Sequence, residues 1–325
     1  MSNLSSILTS SHLYSAIVIL LLVIALKAII GLYATHAPLQ FFNFYCQRLA
    51  DKVNKASNSH RQQNFAGLIA IVVTLAPLLL ILWLFEVFIE INWLWDGLLL
   101  FLALGSFGQT RINKQVAREL IANNNYQAKQ LIDPFVLRDT DKLSTLGISK
   151  ACIESQLLRS SQQLICVGFY YLLFGPLTAL AFRLLLEMHY SWNIKTARFF
   201  HFGAAANHIV KLLQWLPSRL FSLILLLGTL GQNTVLNWRL TQGKFFSIGN
   251  SLLLHILALG LEIKLSGVAM YHGNKLRKAS FNEHARQPQV TDIIHASKRI
   301  NYALYLCLLI VMMAAIISYA SVSKV

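Results

Sequence analysis

The most constraining feature of this chain is a set of apolar runs too long for a soluble core. Leu13 to Tyr33, Ala66 to Ile89 and Asn301 to Ala320 each match or exceed the roughly 18–20 residues needed to cross the hydrocarbon of a bilayer. Trp93 to Phe107 is shorter, and Trp93 and Trp95 put aromatic rings where an interface would be. Only 13% of the residues are charged, against about a quarter in soluble domains. The expected fold is therefore an all-α polytopic membrane protein: one domain over residues 1–325, with spans near 13–33, 66–89, 93–107 and 301–320.

Charge orients those spans. The chain has 28 Lys and Arg against 13 Asp and Glu, a net charge of +15. The basic residues gather in loops: Arg48, Lys52, Lys55 and Arg61; eight between Arg111 and Arg159; and Lys264, Lys275, Arg277, Lys278, Arg286, Lys298 and Arg299. Basic loops stay on the cytoplasmic side, which places both termini outside. Their spread over several short loops argues against nucleic acid as a partner and for the lipid bilayer. Two cytoplasmic stretches flanking residues 164–263 require an even number of spans between them. The three apolar candidates there, 164–186, 216–230 and 246–263, cannot all cross, so at least one is re-entrant, interfacial or buried in protein. Gly175-Pro176 breaks the first of them, and irregular backbone is tolerated at membrane depth only under cover of protein or a cavity.

Region 109–162 reads as cytoplasmic helices. Ile112, Val116, Leu120 and Ile121 recur at helical spacing up to Asn123-Asn124-Asn125, and a second helix from Ser149 carries Ile153 and Leu157 on one face. Pro77 predicts a kink in the second span. Lys27, inside the first, marks either a polar interior or a snorkelling side chain.

Chemical motifs are sparse. There is no phosphate loop, no nucleophile elbow and no metalloprotease motif. The cysteines, Cys46, Cys152, Cys166 and Cys307, form no CxxC pair. His189, His201 and His208 lack acidic or cysteine companions, so no metal site is expected, although a seven-residue spacing could set the last two on one helix face. Arg138-Asp139-Thr140-Asp141 is a compact polar cluster suited either to a substrate or to a capped turn. Glu154 stands four residues after Lys150, the spacing of an exposed helical ion pair.

Three ordered blocks resemble the CobD/CbiB family of cobalamin biosynthesis. Leu137-Arg138-Asp139-Thr140, Leu143, Gly147-Ile148, Ala151 and Glu154-Ser155 form the first. Gly175 to Arg183, Phe202-Gly203, Ala205-Ala206 and Leu216-Pro217-Ser218-Arg219-Leu220 form the second. Ala258-Leu259-Gly260-Leu261, Leu265-Ser266-Gly267, Tyr271-His272-Gly273 and Asp292-Ile293 form the third, and His36-Ala37-Pro38 stands where the family has an N-terminal HPV.

The resemblance implies an inner-membrane ligase-like protein that joins an amino-alcohol phosphate to a carboxylate of adenosylcobyric acid, with ATP and Mg²⁺. On that reading Arg138, Asp139 and Glu154 are the catalytic candidates, and Arg138, Asp139, Thr140, Lys211 and Arg219 the substrate-binding ones. Yet where the family pattern carries acidic and amide residues, this chain has Leu158, Arg159, Gln162 and Gln163, then Leu186, His189 and Tyr190, then His208, Val210 and Lys211. Glycines and packing residues are kept while carboxylates are replaced. The reduced form resembles AmpE, whose four spans with both termini outside match the arrangement read here, and whose tryptophan-proline-arginine element Trp215 to Leu220 resembles. The expected role is thus a binding, scaffold or regulatory protein whose partner is a corrinoid or another protein. An active synthase is the first alternative, and a transporter with Lys27, Arg183 and Glu187 on a polar path is the second.

Overall fold

The computed structural model describes residues 2–33, 39–55, 57–228, 239–241, 243, 245–271 and 273–322. His36-Ala37-Pro38 and His272 lie outside the described residues. Thirteen helices carry most of that chain: α1 (Ser2–Tyr33), α2 (Gln40–Val53), α3 (His60–Glu86), α4 (Asn92–Ala103), α5 (Gln109–Ile121), α6 (Asn125–Ile132), α7 (Thr145–Arg159), α8 (Cys166–Phe174), α9 (Pro176–Ser191), α10 (Ala204–Leu213), α11 (Trp215–Leu227), α12 (Ser251–Gly260) and α13 (Val290–Val322). A π-helical turn, Ser160–Ile165, joins α7 to α8.

Local chemistry explains many of the boundaries. Ser59 and Gln62 form a reciprocal capping box at the start of α3. Ser144 accepts from the Gly147 N–H and starts α7 at Thr145, earlier than the Ser149 that periodicity suggested. Asn124 caps α6, a helix the sequence pattern did not reveal. Gly175, at φ +86°, turns the chain sharply, and Pro176 opens α9. This is the break expected in the 164–186 segment.

Among the described residues, three helices are long and apolar enough to cross a membrane: Leu13–Gly31 in α1, His60–Glu86 in α3 and Val290–Ala320 in α13. At 1.5 Å per residue, α3 is about 40 Å long, beyond the roughly 30 Å of hydrocarbon. It runs through Pro77 as one helix rather than ending there. Its outward residues include Leu80, Trp83 and Phe85, and those of α13 include Leu309, Ile316 and Ile317. Such faces suit lipid, so this is a helical membrane protein.

The segment expected as a fourth span is different. α4 has 12 residues, about 18 Å, and cannot cross alone. After Ala103 the backbone leaves the helix, and the Gly105 N–H donates to the Gln163 carbonyl at 2.9 Å. Apolarity continues to Phe107, but tertiary pairing stops the helix first. Among the middle candidates, α10 and α11 together are apolar enough for a span but bend by 51° at Gln214, and α12 has only 10 residues.

Lys27 does not snorkel. Its side chain is 4% exposed, donates to the Leu104 carbonyl, and lies 4.6 Å from the Phe101 ring centroid. It holds the C-terminal end of α4 from inside the bundle.

Two hydrophobic cores result. The first joins α1–α4 with α8–α10. The second joins α5–α7 with α11–α13 and a β-hairpin. That hairpin, β1 (Leu265–Tyr271) and β2 (Asn274–Phe281), was not expected in an all-α chain. Gly267 (φ +102°) forms its bulge and Gly273 (φ +79°) its turn, conformations that favour glycine. The start of α13 lies in the second core through Ile293, Ala296 and Ile300. Asp292 anchors it, accepting from Arg286 at 2.6 and 2.8 Å and from the Gln289 N–H at 2.7 Å.

Candidate functional site

A cavity of about 810 Å³ opens where the two cores meet. Its wall is assembled from α7, the π-turn, α9, the 134–138 loop, the start of α12 and the hairpin. A π-turn widens a helix and recurs at functional sites; here it carries two wall residues, Gln162 and Gln163.

Glu154 is the central acid. It takes a 2.6 Å ion pair from Arg138 and accepts from the Ser266 N–H at 2.8 Å. The local pairing with Lys150 gives way to these two long-range partners, because Glu154 faces the cavity and the hairpin. Asp139 supports the same hairpin from outside the wall: its carboxylate accepts from the Gly273 N–H at 2.8 Å, and its own N–H donates to the Met270 carbonyl. The first and third sequence blocks therefore meet in space.

The other candidates separate. Thr140 donates to Asp133 at 2.7 Å and closes a turn. Arg219 is buried on α11, donates to the Phe245 carbonyl at 2.6 Å and to that of Ser247, and fixes that loop. Lys211, on α10, does not line the cavity. Of the residues the ligase resemblance singled out, Arg138 and Glu154 stand on its wall, as do Arg183 and Glu187 of the polar-path alternative.

Arg159, Arg183, Glu187, Tyr190 and Lys195 complete the polar surface. Arg183 and Glu187, four residues apart on α9, pair at 2.5 Å with both side chains 7% exposed. Arg183 and Glu187 were legible in the sequence as ionisable residues in an apolar stretch; nothing in the sequence set Lys195 apart. Arg159 donates to the carbonyls of Phe135 and Pro134 at 3.0 and 3.1 Å. Tyr190 donates to Gln162 at 2.7 Å, and burial pushes its phenol up to about 12 against the pull of Arg159 and Arg183. It remains a neutral donor.

Among the described residues the wall carries four bases and two acids, and each acid is already paired with an arginine. The formal charges of these six side chains sum to +2. Of the positions where carboxylates give way in sequence, Leu158, Arg159, Gln162, Gln163 and Tyr190 stand on this wall, whereas Leu186, His189, His208, Val210 and Lys211 do not. Mg²⁺ on ATP phosphates needs carboxylate or water oxygens at short range. Among the described residues no cluster of three acids, histidines or cysteines forms, and the two cavity acids are engaged by guanidinium. The residues present do not fit a protein-held Mg²⁺.

The histidines do not assemble either. His201 lies in the turn before α10 with its ring 4.0 Å from that of His60, so it shares no helix face with His208. His189 is behind the wall, where burial first, and then Lys195 and Lys211, push its imidazole down to about 4. The unfolded chain binds a proton near pH 6.5 that the folded chain refuses until about 4, so stability is full above 6.5 and falls toward acid. Going from pH 7 to 5 should remove about 2 kcal/mol through this group, and His189→Gln should flatten that part of the profile in thermal melts. An unchanged slope would contradict it.

The model of the family described as CobD/Cbib protein matches residues 19–300, most of the chain. The chain belongs to the CobD/CbiB family. Relatives include the cobalamin biosynthesis protein CobD of Stutzerimonas stutzeri, 30% identical over 274 residues covering 83% of this chain and 88% of the relative. That of Chromobacterium violaceum is 29% identical over 258 residues, 77% and 80% of the two chains. That of Halalkalibacterium halodurans is 25% identical over 232 residues, 69% and 72%. No solved structure matches. In this family member the matched region contains the whole cavity wall.

Proposed function

We propose that this protein is a bacterial inner-membrane member of the CobD/CbiB family that holds an anionic ligand of cobalamin biosynthesis in its cavity without itself forming the amide bond. Its role is then binding, scaffolding or regulation, as in the AmpE proteins it resembles, with a corrinoid or a further protein as partner. The observation that carries the reading is the charge balance of the wall: both carboxylates are neutralised by arginine, and positive charge remains. An amide-forming step needs a group to accept the amine proton. Both wall carboxylates already accept from arginine, and Glu154 also accepts from the Ser266 N–H.

One observation favours a second reading, an active synthase. Glu154 and Arg138, both shared with the family block, face the cavity together. The two readings separate in a bacterium deleted for its own adenosylcobinamide-phosphate synthase and fed cobyric acid. With membrane insertion verified and a family synthase as positive control, this chain is expected to give no cobalamin-dependent growth. Rescue would overturn the non-catalytic reading and establish the second.

A further inference from the structure

Arg183 is anomalous among the buried side chains of the wall. Its Nη2 is engaged by Glu187 at 2.5 Å, but Nε and Nη1, both buried, have no hydrogen-bond partner among the described residues. A guanidinium cannot escape this by losing its proton. Buried donors left unmet are costly, and an apolar pair of similar volume would stabilise α9 as well as the ion pair does. Nothing in packing therefore explains two unpartnered donors on a residue that lines the cavity.

The surroundings specify what they fit. Arg159 lies close enough to both Arg183 and Glu187 for their charges to act on it. The protein acceptors of Arg159 are neutral carbonyls, so its charge is not cancelled there. Glu187 offsets only one of the two guanidinium charges. The local balance attracts an anion, and the open donors are of the type that oxyanions use best.

We propose that Arg183, backed by Arg159, is the seat for a terminal oxyanion, phosphate or carboxylate, of the molecule the cavity holds. A small turn of the buried side chain toward the cavity lets the oxyanion accept from Nε and Nη1 while Glu187 holds the guanidinium through Nη2. The assignment rests on the basic-cavity reading above and specifies which part of the ligand that cavity grips.

The test uses the full chain in lipid nanodiscs, titrated calorimetrically with inorganic phosphate and, separately, with acetate. Arg183→Gln/Glu187→Gln removes the pair without stranding one charge, and Arg183→Lys keeps Glu187 paired but loses the two donors. Wild type is expected to bind one of the anions, and both variants to bind it at least about tenfold more weakly. Preference for phosphate assigns a phosphoryl group, and preference for acetate a carboxylate. If either variant folds and binds as wild type does, the seat is elsewhere and the basic cavity stands. If wild type binds neither anion, the seat and the basic-cavity reading fall together.

Discussion

Gly203→Ala is expected to leave little or no folded protein in the membrane. A Cβ at this position would land on the Trp192 carbonyl oxygen, well inside van der Waals contact. The obstacle is backbone, which cannot rotate aside as a side chain would. Trp192 is itself fixed: its indole N–H donates to the Cys46 carbonyl at 3.0 Å, and its ring meets Phe202 edge-on at 4.8 Å between centroids. Phe202 in turn sets its carbonyl against Gly67 of α3, where an added Cβ would collide in the same way. Two glycines thus let α3, the end of α9 and the 202–203 turn approach at backbone distance. Overpacking costs typically 1–3 kcal/mol and more when the backbone must shift, so about 3 kcal/mol or more is expected for Gly203→Ala and similarly for Gly67→Ala. The control is Gly168→Ala, where a Cβ meets nothing within 4 Å and helix propensity gains about 0.5–1 kcal/mol. Membrane yield and thermal unfolding of the detergent-solubilised protein measure all three. A Gly203→Ala protein that melts like wild type would show that the two backbones can part cheaply.

Glu154→Ala is expected to cost about 3 kcal/mol and to loosen the hairpin. The substitution strands Arg138, a largely buried cation, and removes the acceptor of the Ser266 N–H. Ser266 and Gly267 both have positive φ, so this end of the hairpin is conformationally demanding and depends on its anchor. Glu154→Gln keeps an acceptor for the N–H but not the charge, and should cost about 1 kcal/mol. Hydrogen exchange across 265–281 should rise in Glu154→Ala and much less in Glu154→Gln. The same pair of variants informs the functional question. In a synthase, Glu154→Gln would fold and abolish rescue; in a binding protein, its effect would follow stability alone.

Length and apolarity were enough to find α1, α3 and α13, because crossing a bilayer is a one-dimensional requirement that a single segment satisfies. The Gly175-Pro176 break and the ordered family blocks were legible for a similar reason, since each depends on residue identity at a local position. The end of α4 was not: Trp93 to Phe107 reads as one largely apolar run despite Asp96 and Gly105-Ser106, and the Gly105–Gln163 backbone bond, between residues 58 positions apart, draws the chain out of the helix after Ala103. Lys27 and Glu154 make the same point about charge. Sequence offers Lys27 the membrane surface and Glu154 its neighbour Lys150, while folding delivers the Leu104 carbonyl to one and Arg138 and Ser266 to the other. The hairpin depended on glycines whose positive φ becomes meaningful only once Asp139 and Glu154 hold its two ends. The cavity is the extreme case, since its wall draws on segments from Leu39 to Phe281. Hydrophobic length and turn chemistry are properties of the chain, whereas electrostatic partners, helix ends and enclosed volume are set by which distant groups the packed cores bring within a few ångströms.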